Sequence, residues 1–267
     1  MNETGIRPPA VAGLFYPAAA DELRRQVQQL LAQAEAPALT GIRALIVPHA
    51  GFRYSGVIAA SAFKPLAALA GQIGAVVLFG PAHRVPFDGV ALSAFAAFAT
   101  PLGPVPVDLE VRAQLLDYGP PFVTFERPHE PEHCLEVELP FLQVVLPAAR
   151  IVPLLCGDVE PRDAAPALVN ALRTTGDAIL IVSSDLSHYH PYAQATVLDR
   201  ALLTALLAGD DAGVRRKQAC GMLPILTLME IARQCAWQPH LLDYRNSGDT
   251  AGDRSTVVGY AAVAYTG

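Results

Sequence analysis

Four short runs in this chain are apolar at every position: Ala44-Leu45-Ile46-Val47, Gly74 to Phe79, Ile151 to Leu155 and Ala178 to Val182. A strand with one face in water alternates polar and apolar side chains, and these runs do not. They read as strands covered on both faces, the pattern of a sheet buried between helices. Helical stretches lie between them, so the expected fold class is α/β, with a mixed, largely parallel sheet and helices on both faces.

The remaining elements follow from periodicity and from Gly and Pro. Ala18 to Ala36 reads as an amphipathic helix with Leu23, Val27, Leu30 and Leu31 on one face. Tyr54 to Leu69 reads as an Ala-rich helix, and Gly80-Pro81 as the break after the second strand. Asp88 to Ser93 and Pro104 to Val107 are expected to pair around the turn-rich Thr100-Pro101-Leu102-Gly103. Val111 to Tyr118 is a helix candidate, and so is Leu135 to Leu146, with a kink at Pro140. Further helices are expected at Ala164 to Arg173, Ala193 to Ala208, Asp210 to Gln218 and Leu223 to Cys235, and closing strands at His240 to Tyr244 and Thr256 to Tyr265. Neither a repeat nor a linker interrupts the chain, so residues 1–267 are expected to form one domain.

Bulk properties exclude several function classes. Hydrophobic residues are 52% of the 267 and charged residues 16%, which suits a large core and argues against disorder. The net charge is −6, and no basic cluster exceeds Arg215-Arg216-Lys217, so a nucleic-acid surface is not expected. Met1 to Pro9 carries Glu3, Arg7 and two prolines, unlike a secretory leader. No run of about 18 apolar residues is present to span a membrane. Cys134, Cys156, Cys220 and Cys235 are widely spaced, which fits a reducing cytoplasm and small buried thiols, Cys220 excepted.

The chemistry gathers where elements end. His49 follows the first apolar run, His83 the second, and Asp185-x-x-His188 the last, while Cys220-Gly221 stands where a helix begins. Strand ends present side chains at one rim of a sheet, and imidazoles with a thiol there suggest a transition-metal site. Any one of them alone reads more readily as an ordinary loop residue than as a ligand; the set of four does not. His190, followed by Pro191, is expected to leave the site.

Other motifs are weaker. His129-Glu130-Pro131-Glu132-His133 matches H-E-x-x-H, but Pro131 forces Glu130 toward extended backbone, so the two imidazoles cannot share a helix face. His133 can serve the site as an acid/base group, or cap the helix that follows. Ser183-Ser184 lacks the G-x-S-x-G context of a serine nucleophile. Gly51-Phe52-Arg53-Tyr54-Ser55-Gly56 lacks the lysine of a phosphate loop; its glycines are expected to allow a turn that aims His49, with Tyr54 in the pocket wall. Arg245-Asn246-Ser247-Gly248-Asp249 reads as a polar loop, over a ligand or in solvent.

Taken in order, Arg7-Pro8-Pro9-Ala10-Val11-Ala12-Gly13-Leu14-Phe15-Tyr16-Pro17, Val47 to Gly56, Gly80-Pro81-Ala82-His83, Glu132 to Leu142, Ser183 to His188 and Cys220-Gly221 resemble the Memo family, whose prokaryotic members are called AmmeMemoRadiSam system protein B. The resemblance implies a fold like the catalytic subunit of class III extradiol dioxygenases. It implies metal ligands at His49, His83 and Cys220, and pocket groups at Asp185, His188 and His133; by their chemistry Asp185 and His188 can bind metal or act as an acid/base pair, and all three are the expected catalytic groups. It implies iron or copper ahead of zinc, and partners in a radical S-adenosylmethionine protein and an AMMECR-type protein. Arg53, Tyr54 and Ser184 complete the expected substrate pocket. Ala82, Arg84 and Leu223 depart from the more polar surroundings common in the family.

Iron dioxygenases commonly hold their metal by two histidines and a carboxylate. Cys220 in the third place is softer and oxidisable, so dioxygenase activity does not follow from the fold alone. Three functions are therefore weighed: a redox-metal oxidoreductase, a pocket that binds a small molecule or peptide without turnover, and a zinc hydrolase.

Overall fold

The computed structural model describes residues 5–267. Residues 1–4, part of the segment read above against a leader, lie outside the described residues. Among the described residues there are twelve strands: β1 (Ile6–Arg7), β2 (Ile42–Val47), β3 (Ala75–Pro81), β4 (Val90–Leu92), β5 (Ala97–Thr100), β6 (Gly103–Pro106), β7 (Phe122–Thr124), β8 (Arg150–Cys156), β9 (Ala178–Ser183), β10 (His188–His190), β11 (Gln238–Asn246) and β12 (Val257–Thr266). The four apolar runs form the centre of the large sheet as adjacent parallel strands in the order β2-β9-β3-β8. Antiparallel β12 extends one side and carries β10 and β11; antiparallel β4 extends the other, followed by β7. The small sheet is β1-β5-β6.

Strand periodicity splits the core in two. Leu45 and Val47 of β2 face helices Ala20–Gln33, Phe52–Phe63 and Leu139–Val145, whereas Ala44 and Ile46 face helices Pro161–Thr175, Tyr192–Leu207 and Met222–Cys235. Both sets are fully buried, which is why the runs show no polar alternation. Each Leu or Ile so buried contributes up to about 1.5–3 kcal/mol relative to exposure. Leu23 and Val27 fill the first core and Leu30 and Leu31 pack against it, as the amphipathic pattern of that helix requires.

The structure corrects several sequence expectations. Segments 88–93 and 104–107 do not pair with each other: β4 joins β8 and β7, while β6 pairs with β5. The turn at residues 100–103 closes a hairpin with β5, and wholly buried Val90-Ala91-Leu92 needs a place inside the large sheet. β3 runs through Gly80-Pro81 instead of breaking there. The Ala-rich helix ends at Phe63, and Lys64–Leu69, with Pro65 in its first turn, continues as a 3-10 helix. Pro140 kinks nothing, because it lies in the first turn of Leu139–Val145, where its missing N–H has no helical partner to lose; Glu136–Glu138 before it is a 3-10 turn. Among the described residues no helix is long and apolar enough to cross a membrane.

Candidate metal centre

Because β2 and β3 flank β9, their C-terminal ends share one rim, and His49, His83 and Asp185 each stand two residues past their strand. Cys220 arrives from a distant part of the chain, just before helix Met222–Cys235. Gly221 makes that approach possible. A Cβ there would stand 2.7 Å from Ser184 Cβ and 2.8 Å from the Ser183 carbonyl oxygen. Cys220 N–H then donates to the Asp185 carbonyl (3.2 Å), and Asp185 N–H donates to Cys220 Sγ (3.1 Å).

The ligand atoms of His49, His83 and Cys220 lie within 4.8 Å of one another, with His49 Nε2 3.3 Å from Cys220 Sγ. The His133 ring centroid is 5.4 Å from that of His49 and 4.9 Å from that of His83. A cavity of about 870 Å³ opens over them, and Tyr54, His133, Asp185 and His188 are in its wall. Arg53 and Ser184 are not brought to that wall. Arg53 is exposed, its guanidinium carbon 5.9 Å from the centre of the Tyr54 ring. Ser184 is buried behind Cys220, where its hydroxyl donates to the Asp185 carbonyl and accepts from Gly221 N–H. Tyr189 adopts φ 61°, a left-handed conformation that non-glycine residues rarely take, beside a register shift in β10, and its exposed ring lies at the pocket mouth. The polar segment 245–249 caps the short helix Ser247–Thr250 through Asn246 and gives Ser247 to the wall. His190 is outside the wall, held by Gln218.

Gly51 has φ −57°, which any residue adopts, so no special turn aims His49. Its aim comes from hydrogen bonds. His49 N–H donates to Asp185 Oδ1 (2.9 Å), and the ring Nδ1 is 2.7 Å from Ser183 Oγ. His83 Nδ1 is 2.9 Å from Glu132 Oε1, and His188 Nδ1 donates to the Leu186 carbonyl (2.8 Å). Ring partners of this kind orient a histidine so that its other nitrogen is free to bind.

The electrostatics favour a neutral donor set. Burial, then the neighbouring His133 and His83, hold His49 well below the usual imidazole range. Burial also lowers His188. Burial pushes the Asp185 carboxyl up to about 7 despite the hydrogen bond from His49 N–H. Burial, reinforced by Asp185, pushes the Cys220 thiol up to about 12. Two imidazole nitrogens and a thiol that needs a nearby cation to ionise fit a transition-metal ion, whose charge would reverse the penalty on the thiolate.

Glu132 is a member to which the sequence gives no role beyond its place in the H-E-x-x-H run. Its carboxylate accepts from His83 N–H (2.7 Å), His133 N–H (2.9 Å) and Cys134 N–H (3.1 Å), and it touches Nδ1 of both His83 and His133. Burial alone would raise its pKa, but these donors together hold it far below the usual carboxylate range. Residues 129–133 form turns and not a helix, so the H-E-x-x-H geometry is absent. His129 is buried away from the cavity, with Nε2 on the Ala91 carbonyl. Arg7 straps this loop in place. It is 1% exposed, donates to the carbonyls of His129 and Glu132, and pairs with Glu136 at 2.6 Å. Glu136 in turn accepts from Ala10 N–H, Val11 N–H and Tyr16 OH. Ser183 is no nucleophile: its hydroxyl is buried and bonded to His49, Cys134 and Glu138.

The sequence pattern of Memo-like proteins matches residues 7–264. A MEMO1 family protein of Methanothermobacter thermautotrophicus is 35% identical over 274 residues, covering 96% of this chain and 99% of its own. One from Aquifex aeolicus is 35% identical over 273 residues, with 97% and 99% covered. Among solved structures, an uncharacterized protein from Escherichia coli K12 superposes with a TM-score of 0.58 at 14% identity, covering 85% of this chain and 100% of that one. At that identity the likeness is one of fold.

Proposed function

This chain belongs to the Memo family and has its class III extradiol dioxygenase-like fold, and on that premise we propose that it is a metal-dependent oxidoreductase with a mononuclear iron or copper site. His49, His83 and Cys220 would hold the metal. The observation that carries this reading is the convergence of their three ligand atoms, within 4.8 Å of one another, beneath a cavity of about 870 Å³. Iron or copper bound there would supply one-electron chemistry to a small molecule or peptide lying in the cavity.

The residues around the metal have separate tasks. His188, with Nδ1–H committed to the Leu186 carbonyl, offers Nε2 as a base. Asp185, whose carboxyl is pushed up to about 7 by burial, is placed to hold or release a proton. His133, oriented by Glu132, is a second proton carrier in the wall. Tyr54 gives the ligand an aromatic surface. A reducing cytoplasm would keep Cys220 as a thiol ready for metal. Family resemblance supports a radical S-adenosylmethionine protein and an AMMECR-type protein as partners.

The test is metal content and oxygen consumption of protein purified without oxygen, beside His49→Ala, His83→Ala and Cys220→Ser. Iron or copper is expected in the parent chain, with affinity at least about tenfold lower, roughly 1.4 kcal/mol, in each variant. Equal metal in all four proteins would remove the ligand set. Zinc alone, without oxygen uptake, would replace the oxidoreductase with a hydrolase.

A further inference from the structure

Glu138 is wholly buried on the 3-10 turn behind the pocket. Its Oε1 is 3.0 Å from Ser183 Oγ, and its Oε2 has no hydrogen-bond partner among the described residues. Ser183 Oγ is also 2.7 Å from the Cys134 carbonyl oxygen and 2.7 Å from His49 Nδ1. One hydroxyl thus has three close polar neighbours, and it can donate once and accept twice.

Only one assignment satisfies all three. The Cys134 carbonyl can only accept, so the single Ser183 proton goes to it. Both lone pairs of Ser183 Oγ must then receive donors, from His49 Nδ1–H and from a protonated Glu138. An ionised Glu138 would leave two buried oxygens facing each other without a proton, at 2.7 or 3.0 Å, which is costly. Burial raises the Glu138 pKa far above the usual carboxylate range, and nearby Asp185 raises it further.

We propose that Glu138 is a neutral acid that acts through Ser183 to fix His49 as the Nδ1–H tautomer, leaving Nε2 as the ligand atom beside Cys220. Glu138 is a positioning residue: it touches neither the metal nor the substrate. The proposal rests on the reading of His49 as a ligand, but the tautomer itself is measurable without any metal. It also gives the buried acid a role that packing alone would not. An apolar side chain in the same space would be less costly to bury, but could not donate to Ser183.

The experiment has two readouts on folded protein, checked by circular dichroism. The first is the His49 ring-nitrogen shifts by two-bond proton–nitrogen NMR, with His49→Gln to assign the signal. The second is cobalt(II) affinity. The Nδ1–H tautomer is expected in the parent chain and in Glu138→Gln, whose amide donates as the acid does. Glu138→Leu and Ser183→Ala are expected to shift His49 toward Nε2–H and to weaken cobalt binding about 10- to 100-fold. An Nε2–H tautomer in the parent chain overturns the proposal, as does a Glu138→Gln protein that behaves like Glu138→Leu or Ser183→Ala. If Glu138→Leu does not fold, Ser183→Ala and the parent tautomer still decide it. Failure of the parent chain to bind cobalt would count against the metal reading, while the tautomer result would stand by itself.

Discussion

Glu132, behind His83 and His133, and Glu138, behind His49, are both buried carboxyl groups in the same stretch of chain, yet their surroundings differ in donors. Glu132 meets three backbone N–H groups and two imidazole nitrogens. Glu138 meets one hydroxyl, which is already shared with a carbonyl. Burial opposes ionisation of both, and only Glu132 has enough donors to overcome it. A buried carboxyl can therefore aim an imidazole in either of two ways, directly as an acceptor or as an acid through a hydroxyl. The polar neighbours decide which.

The largest expected effect tests the support of the Glu132 side. Arg7→Ala would leave Glu136 buried without its partner and release the loop at residues 129–133. A loss of about 3–5 kcal/mol is expected in urea or thermal unfolding. A loss under 1 kcal/mol would mean that this loop is held by something other than Arg7.

The comparison itself is sharpened by one substitution made at both sites. Glu132→Gln places an amide group against several N–H donors, and cobalt affinity is expected to fall about 10- to 100-fold. Glu138→Gln replaces one donor by another, and affinity within about twofold of the parent is expected. Equal losses at the two positions would break the distinction.

Proton linkage gives the two acids opposite slopes. Unfolded, Glu138 ionises near pH 4.5, whereas folded it keeps its proton to a much higher pH, so stability falls as pH rises above about 4.5. Glu138→Gln removes that slope. Its stability relative to the parent should grow with pH by up to about 1.4 kcal/mol per unit. Glu132, with a depressed folded pKa, contributes fully above about pH 4.5 and loses that contribution as acid is added. A stability difference between Glu138→Gln and the parent that does not change from pH 5 to 8 would show Glu138 to be ionised. The smallest effect belongs to His129→Ala. Metal affinity should not change, because that imidazole lies on the Ala91 carbonyl and not in the cavity wall.

The central strands were legible in the sequence because burial on both faces leaves an unbroken apolar run, and with them the rim that gathers His49, His83 and Asp185. The pairing of residues 88–93 was not, because three-residue β4 carries too short a pattern to name its neighbours. Pro140 misled for a related reason: proline marks a discontinuity but not whether a helix bends or begins there. Within the site, residues ending a strand or opening a helix could be found one at a time. Glu132 and Glu138 could not, since the contacts that tie Glu132 to His83 and Glu138 to Ser183 span 49 and 45 positions of chain. Ser183 stands out in the sequence only as a hydroxyl, and its role depends on three partners that only the fold assembles.

The central claim is a metal held by His49, His83 and Cys220, and its most direct test is anomalous scattering at the iron and copper absorption edges from crystals of protein purified without oxygen. The account expects one anomalous peak bonded to His49 Nε2, His83 Nε2 and Cys220 Sγ. A peak that avoids all three side chains, or a site that takes up neither metal when supplied with both, would contradict it.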